Sequence, residues 1–272
     1  RGNKCKDYFF DNVDPLEMHS LLAMLDVSRT IFLVISKSGG TTETNANFAI
    51  VLDYIKKHTG DYAKHIVTIT DPEKGILRQI TREEGFVSFP IPSNVGGRFS
   101  VLTAVGLVLA EFLGIDSKIL LQGAASIVDR YYGKSLWHNA PLLNAAFHYV
   151  FDVKKNKRIN VLMPYTRRLF VFADWYRQLW AESLGKRFDI YGNEVKVGLT
   201  PVAALGTIDQ HSQLQLYLEG PDDKVITFLK LEDFGCDIIM PEFYKGKSEL
   251  DYLGGKSLRK LNGFEEQATE LV

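Results

Sequence analysis

What most constrains this chain is an alternation between short β-branched runs and longer segments of helical period. Thr30–Ile35 is an apolar run of strand length, after which Phe48, Val51, Leu52 and Ile55 recur at helix spacing. Ile66–Ile69 and Phe86–Phe89 read as the next strands. Val101, Val105, Val108 and Phe112 then mark a helix ending at Gly114. Parallel strands need a crossover between them, and a helix serves, so this succession predicts an α/β fold with helices on both faces of a parallel sheet. The rhythm restarts after Ile115, with helices over about 119–131 and 139–151, a strand at Arg158–Met163, a helix over about 167–184 and a strand at Val225–Leu229. Two domains are expected for 272 residues, with a boundary near 116–123. Leu258, Leu261, Phe264, Ala268 and Leu271 share helical spacing and reach Val272 without a stop signal. Arg1 stands where a methionine would begin a chain, and no signal peptide explains it, so both ends read as cuts.

Composition narrows the function. Lys and Arg number 32 against 33 Asp and Glu, a near balance that argues against capture of nucleic acid or of a membrane surface. No apolar run reaches the roughly 18–20 residues of a spanning helix. Cys5 and Cys236 are too few and too far apart for a disulfide framework or a zinc site, and a reducing cytoplasmic compartment is the default. No pair of histidines has ligand spacing, so no metal is expected.

Four segments carry chemistry. The first, Ser36–Thr44, lies between a strand and a helix and holds Ser36, Ser38, Thr41 and Thr44 around Gly39 and Gly40. Unpaired N–H groups and the positive end of the helix dipole attract an anion there, and glycines let it approach the backbone. The run matches neither nucleotide-binding glycine pattern, so a compact phosphomonoester fits better. Capping and turn formation would need one such hydroxyl, not four. The second segment, Ser93–Ser100, leads into the helix expected after residue 100 and places Arg98 near its N-terminus. A cation there opposes the dipole, so it reads either as a solvated surface group or as a fixed charge for a developing oxyanion.

In the third, Phe172, Trp175, Tyr176 and Leu179 form an apolar helix face, while Gln178 and Glu182 share another face four residues apart. Glu182 falls in the last turn, where the dipole and any burial raise a carboxyl's pKa towards that of a general base. An ordinary ion pair with Lys186 is the competing reading. In the fourth, His211 follows Thr207 and Asp209, either of which can cap a helix stopped at Gly220-Pro221. The alternation of Leu214, Leu216 and Leu218 leaves a strand open.

Together these runs (Ser36–Thr44, Val95–Ser100, Gln178–Lys186 and Gly206–His211) resemble the phosphoglucose isomerase family, in the right order. The resemblance implies two sugar-isomerase (SIS) domains, 1–120 and 121–272, each a parallel sheet sandwiched by helices. It implies interconversion of glucose 6-phosphate and fructose 6-phosphate through a cis-enediol, without a cofactor, in a cytoplasmic homodimer whose subunits share the active site. It also implies roles: Ser36, Ser38, Thr41 and Thr44 on the phosphate, Gln178 on the sugar chain and Glu182 as the base. Arg98 would stabilise the intermediate, and His211 would assist ring opening from the neighbouring subunit. The family's glycine-rich G-[IV]-G-G-S-x-x-L-G segment and its C-terminal lysine run have no counterpart here. Lys256 and Lys260 therefore receive no role, and each domain is expected to be truncated. A sugar-phosphate-binding SIS regulator is the alternative, though it has no need of Arg98, Glu182 and His211 together, and activity on mannose 6-phosphate stays open.

Overall fold

In the computed structural model, which describes residues 5–243 and 245–272, β1 (Phe32–Ser36), β2 (Ile66–Thr70) and β3 (Val87–Pro90) lie parallel in that order. The register pairs Ser36 with Thr70 and Thr70 with Pro90, so the three strands end at one level. β2 is central and buried along its whole length, as its unbroken β-branched run requires. The crossovers are α2 (Thr42–His58) and α3 (Ile76–Glu84). Phe48 and Ile55, seven residues apart on one stripe of α2, pack with Val27, Val34, Ile66, Leu77 and Phe86 into the core. Burying each of these large side chains is worth about 1.5–3 kcal/mol. α3 stops at Gly85, whose left-handed φ of 71° lets its N–H turn back to the Thr81 carbonyl. Before the sheet stands α1 (Pro15–Met24), capped by the Asp14 carboxylate with a proline at its start.

The helix expected from Val101 is two elements. Gly97–Leu102 forms a 3-10 segment, and Thr103 then restarts the chain as α4 (Ala104–Phe112). The Thr103 hydroxyl donates to the Ser100 carbonyl at 2.6 Å and accepts from Val105 N–H, a local alternative to the helix ladder that periodicity cannot reveal. α5 (Ser117–Tyr131), capped by Asp116, groups with the elements before it in a first unit reaching Tyr132.

The second unit runs from Gly133 to Val272. After α6 (Ala140–Lys155) comes β4 (Ile159–Pro164), then α7 (Phe170–Leu184), a hairpin of β5 (Lys186–Phe188) and β6 (Glu194–Val197), and β7 (Thr200–Ala203). α8 (Leu214–Glu219), β8 (Lys224–Leu229), α9 (Ser248–Asp251) and α10 (Leu258–Leu271) follow. β4 is the central strand of the parallel order β7-β4-β8. Val161, Met163, Tyr165 and Ala204 form its core. Asn160 is the polar exception on β4. It is fully buried and bonded to His148 of α6 at 3.2 Å and to the Tyr176 hydroxyl of α7 at 2.9 Å. Each unit is thus a parallel sheet flanked by helices, as the alternation of elements predicted.

Two helix faces differ from the sequence pattern. On α7 the predicted Trp175, Tyr176 and Leu179 are half-buried together with Trp180, which lies 5.0 Å from the His148 ring, and Ala173 is fully buried, while Phe172 alone of the predicted face stays exposed. On α10 the buried residues are Glu266 and Thr269, and Leu258, Phe264 and Leu271 face solvent. Polar partners from the unit's loops decide that face. Among the described residues no helix is long and apolar enough to cross a membrane.

Candidate active site

Parallel strands that end together gather their loops on one edge, where α/β sheets bind ligands. In the first unit the loop after β1 (37–41) is tied to the loop after β2 by Asp71 N–H, which donates to the Lys37 carbonyl at 3.3 Å. Gly75 presses against the same loop: with φ of +92°, a Cβ added there would lie 2.3 Å from the Ser38 carbonyl oxygen. Gly39, at φ of +67°, would bring a Cβ within 3.1 Å of Leu77 N. Both positions need glycine for conformation and for space. The Asp71 carboxylate accepts from Glu73 and Lys74 N–H at 2.9 Å each. Those two bonds, with the charges of Lys74 and Lys37, hold its pKa below the usual carboxylate range.

Three of the four expected hydroxyls, those of Ser36, Ser38 and Thr41, gather together. Ser36 is the last residue of β1 and is buried; its Oγ accepts from Gly39 N–H at 3.2 Å and lies 3.2 Å from Thr41 Oγ1. Ser38 Oγ accepts from Gly40 N–H at 3.2 Å and lies 3.5 Å from the same Thr41 oxygen. Thr41 occupies the N-cap position of α2, yet its side chain makes no capping bond. The dipole end and the orphan N–H groups of the first turn therefore face the hydroxyl group. Thr44 is the third residue of α2. Asn45, one residue further on, donates Nδ2–H to the Gly39 carbonyl at 3.2 Å.

Arg98 is the second residue of the 3-10 segment and is half-buried, its guanidinium 4.7 Å from the Phe99 ring centroid. The helix expected just after residue 100 is corrected: α4 begins at Ala104, beyond a 3-10 segment that holds Arg98, so the dipole of α4 is not what Arg98 opposes. The segment before Arg98 is held by Lys37, whose ammonium donates to the carbonyls of Ser93, at 3.1 Å, and of Val95.

In the second unit Gln178 Nε2–H donates to Glu182 Oε1 at 2.9 Å along one exposed face of α7. Glu182 lies in the last turn before the Gly185 C-cap. Lys186 Nζ donates to the Glu182 and Gly185 carbonyls at 3.3 and 3.4 Å, a cation at the negative end of the helix. His211 ends a 3-10 segment, Ile208–His211, and is exposed. The helical reading of this stretch holds over the strand, but Ser212 and Gln213 break it before α8. Asp209 accounts for the break, since its carboxylate accepts from Leu205 N–H and Ser212 Oγ, both at 2.6 Å. Gln210 pins the segment from the other side. Its Nε2 donates to the Tyr165 hydroxyl at 2.8 Å, to the Glu265 carbonyl at 2.9 Å and to Thr269 Oγ1. Burial and then the Asp209 charge push the Tyr217 hydroxyl up to about 12.

The chemistry divides between the units. The first offers hydroxyl donors, a helix N-terminus and a guanidinium, which suit an anion. The second offers a carboxylate and an imidazole on exposed ends, which suit proton transfer. Among the described residues no group of three or more His, Cys, Asp or Glu is placed to hold a metal ion. Sequence reasoning passed over Lys37, Asn45, Asp71 and Gln210. Lys37 and Gln210 adjoin the flagged residues, but their partners lie 45 to 59 positions away and leave no periodic signal.

The family model of phosphoglucose isomerase matches residues 2–230. The chain is 46% identical over 268 residues to the glucose-6-phosphate isomerase of Carboxydothermus hydrogenoformans, covering 98% of this chain and 58% of that protein. It is 45% identical over 231 residues to a probable glucose-6-phosphate isomerase of Methanococcus maripaludis, covering 85% of this chain and 50% of that one. Among solved structures it is similar to a hypothetical protein of Thermus thermophilus, with a TM-score of 0.89 at 39% identity, covering 96% of this chain and 61% of that one. It is also similar to a glucose-6-phosphate isomerase of Chlamydia trachomatis, with a TM-score of 0.82 at 25% identity, covering 96% and 48%. The chain thus spans between about half and three fifths of these proteins.

Proposed function

The chain belongs to the phosphoglucose isomerase family, and on that premise we propose that the protein it comes from interconverts glucose 6-phosphate and fructose 6-phosphate. What carries the reading is the contiguous group of Ser36, Thr41 and Ser38 hydroxyls before a helix N-terminus that Thr41 does not cap. With Thr44 they hold the phosphate, and the binding energy of that remote group orients the reacting carbons. Gln178 positions the sugar chain.

His211 assists opening of the ring, which exposes a C1 aldehyde beside the C2–H bond. Glu182 takes the C2 proton, and the freed electron pair forms the C1–C2 double bond while negative charge moves to O1. Arg98 stabilises that charge. In the cis-enediolate the O2 proton passes to O1, the electron pair left on O2 forms the C2 carbonyl, and the C1–C2 double-bond pair takes the proton from Glu182 at C1. Oxidation at C2 balances reduction at C1, so no cofactor is required. The family further suggests two SIS domains, 1–120 and 121–272, and a cytoplasmic homodimer in which His211 serves the neighbouring subunit's site.

A coupled assay of the full-length protein on fructose 6-phosphate tests the reading: activity is expected in the wild type, and Glu182→Gln should abolish it. Full activity in that variant overturns Glu182 as the base. Exchange of the substrate C2 proton with solvent separates an isomerase from a protein that merely binds the sugar phosphate.

A further inference from the structure

A lysine within a run of anion-binding hydroxyls invites the reading of a second phosphate ligand. The geometry points elsewhere, and we propose that Lys37 is a positioning residue. It fixes the strand-end segment bearing Arg98 against the phosphate loop, so that the two move as one piece. Lys37 is half-buried, and its ammonium donates to the carbonyls of Ser93 and Val95, 56 and 58 residues along the chain. Val95 is three residues before Arg98, with Gly96 and Gly97 between them, the most pliable link the chain has there. The carbonyl of Lys37 is itself held by Asp71 N–H, so the residue is anchored by its backbone on one loop while its side chain holds another. An ammonium has three donors in a tetrahedral array. Two of them are committed to backbone carbonyls, which are close to ideal acceptors for a charged donor.

The role follows from what the segment lacks. Between Ile91 and the 3-10 segment the backbone bonds are local turns, Val95 N–H to the Pro92 carbonyl and Phe99 N–H to the Gly96 carbonyl, both at 3.0 Å, and the segment belongs to no strand or helix. The Lys37 bonds supply a fixed point where secondary structure supplies none. An arginine that must meet charge developing on a substrate oxygen tolerates little displacement from that oxygen. Lys37 thereby links the phosphate-holding loop to the arginine without touching substrate.

The kinetic part of this proposal rests on the isomerase reading; its structural part does not. The test is Lys37→Met, Lys37→Arg and Lys37→Met combined with Arg98→Met in the full-length protein, read by kcat, KM, inhibition by inorganic phosphate and amide hydrogen exchange. Lys37→Met should lower kcat about 100-fold while the inhibition constant of inorganic phosphate moves less than about threefold, since the hydroxyl contacts persist. Lys37→Arg, which keeps a charged double donor, should recover most of the loss. In the Arg98→Met background the Lys37 substitution should add nothing, the coupling expected of residues that act through one group. The amides of Val95 and Phe99 should exchange at least about tenfold faster in Lys37→Met.

Should Lys37→Met not accumulate folded, Lys37→Gln carries the same readouts. A raised phosphate inhibition constant with kcat retained makes Lys37 an anion ligand and overturns the proposal, as does unchanged exchange across 93–100. If the wild-type protein shows no isomerase activity, the functional reading fails, while the exchange measurement still decides whether Lys37 fixes the segment.

Discussion

The two sheets share a class and differ at their strand ends. In the first unit β1 ends in Ser36, and the chain leaves it through small residues that fold into a cradle of hydroxyls and glycines. In the second unit β4 ends in Pro164, and Tyr165 follows, buried against Gly206 where a Cβ would fall 2.5 Å from its ring. One edge is open and polar, while the other is plugged by an aromatic ring. Parallel α/β architecture places loops at the same edge in both cases, but side-chain volume at the first positions after the strand decides whether that edge can receive a guest. The unit with the plugged edge carries the proposed base, Glu182, on a helix end and the proposed ring-opening residue, His211, on a segment pinned by Gln210.

That division of labour yields predictions of decreasing size. Glu182→Gln should lower kcat about 1,000-fold with inhibition by inorganic phosphate unchanged; loss of both together would break the division. Ser36→Ala and Thr41→Val should each weaken phosphate inhibition about tenfold or more, as expected for a hydrogen bond to a charged group. Thr166→Val, beyond the plugged end of β4, should leave that constant alone. In chemical denaturation, Gly206→Ala should cost about 2 kcal/mol by forcing the Tyr165 ring aside. Gly40→Ala, with nothing within 4 Å of the new methyl group, should stay within about 0.5 kcal/mol.

The smallest effects are in the pH profiles. Asp71 has a lowered pKa in the folded protein, so its contribution is present above the ordinary carboxylate value and is lost as pH falls through the lowered one. Tyr217 is raised to about 12, so stability is intact below pH about 10 and declines as the unfolded phenol ionises, with the loss complete beyond the raised value. Asp71→Asn should therefore flatten the acid limb of a stability profile and Tyr217→Phe the alkaline limb. The opposite assignment would undo this contrast.

Much of this was legible beforehand. β1, β2, β4 and β8 are short runs dominated by β-branched and other apolar residues, and the helices α2, α5, α6 and α7 declare themselves by spacing, because burial leaves a periodic record in sequence. The candidate site residues stand out in the sequence by chemical oddity: hydroxyls in excess of capping needs, and a carboxylate at a helix's negative end. The illegible parts are those where polar side chains overrule periodicity. Thr103 restarts a helix that the valines seemed to continue, Asp209 interrupts another, and Thr269 and Glu266 turn α10 away from its apolar stripe. β7, short and beginning Thr200-Pro201, was not anticipated either. A proline in a four-residue strand reads as a turn until the neighbouring strand supplies the pairing.

The bond from Asn45 to the Gly39 carbonyl has a further consequence. The Lys37 carbonyl is taken by Asp71 and the Gly39 carbonyl by Asn45, while the Ser38 carbonyl is shielded by Gly75. The turn thereby engages its carbonyl oxygens within the protein, while its Gly39 and Gly40 N–H groups are taken by the Ser36 and Ser38 hydroxyls. The asparagine acts as a rectifier, occupying a carbonyl oxygen that would otherwise compete with the neighbouring hydroxyls in setting the sign of the guest's charge.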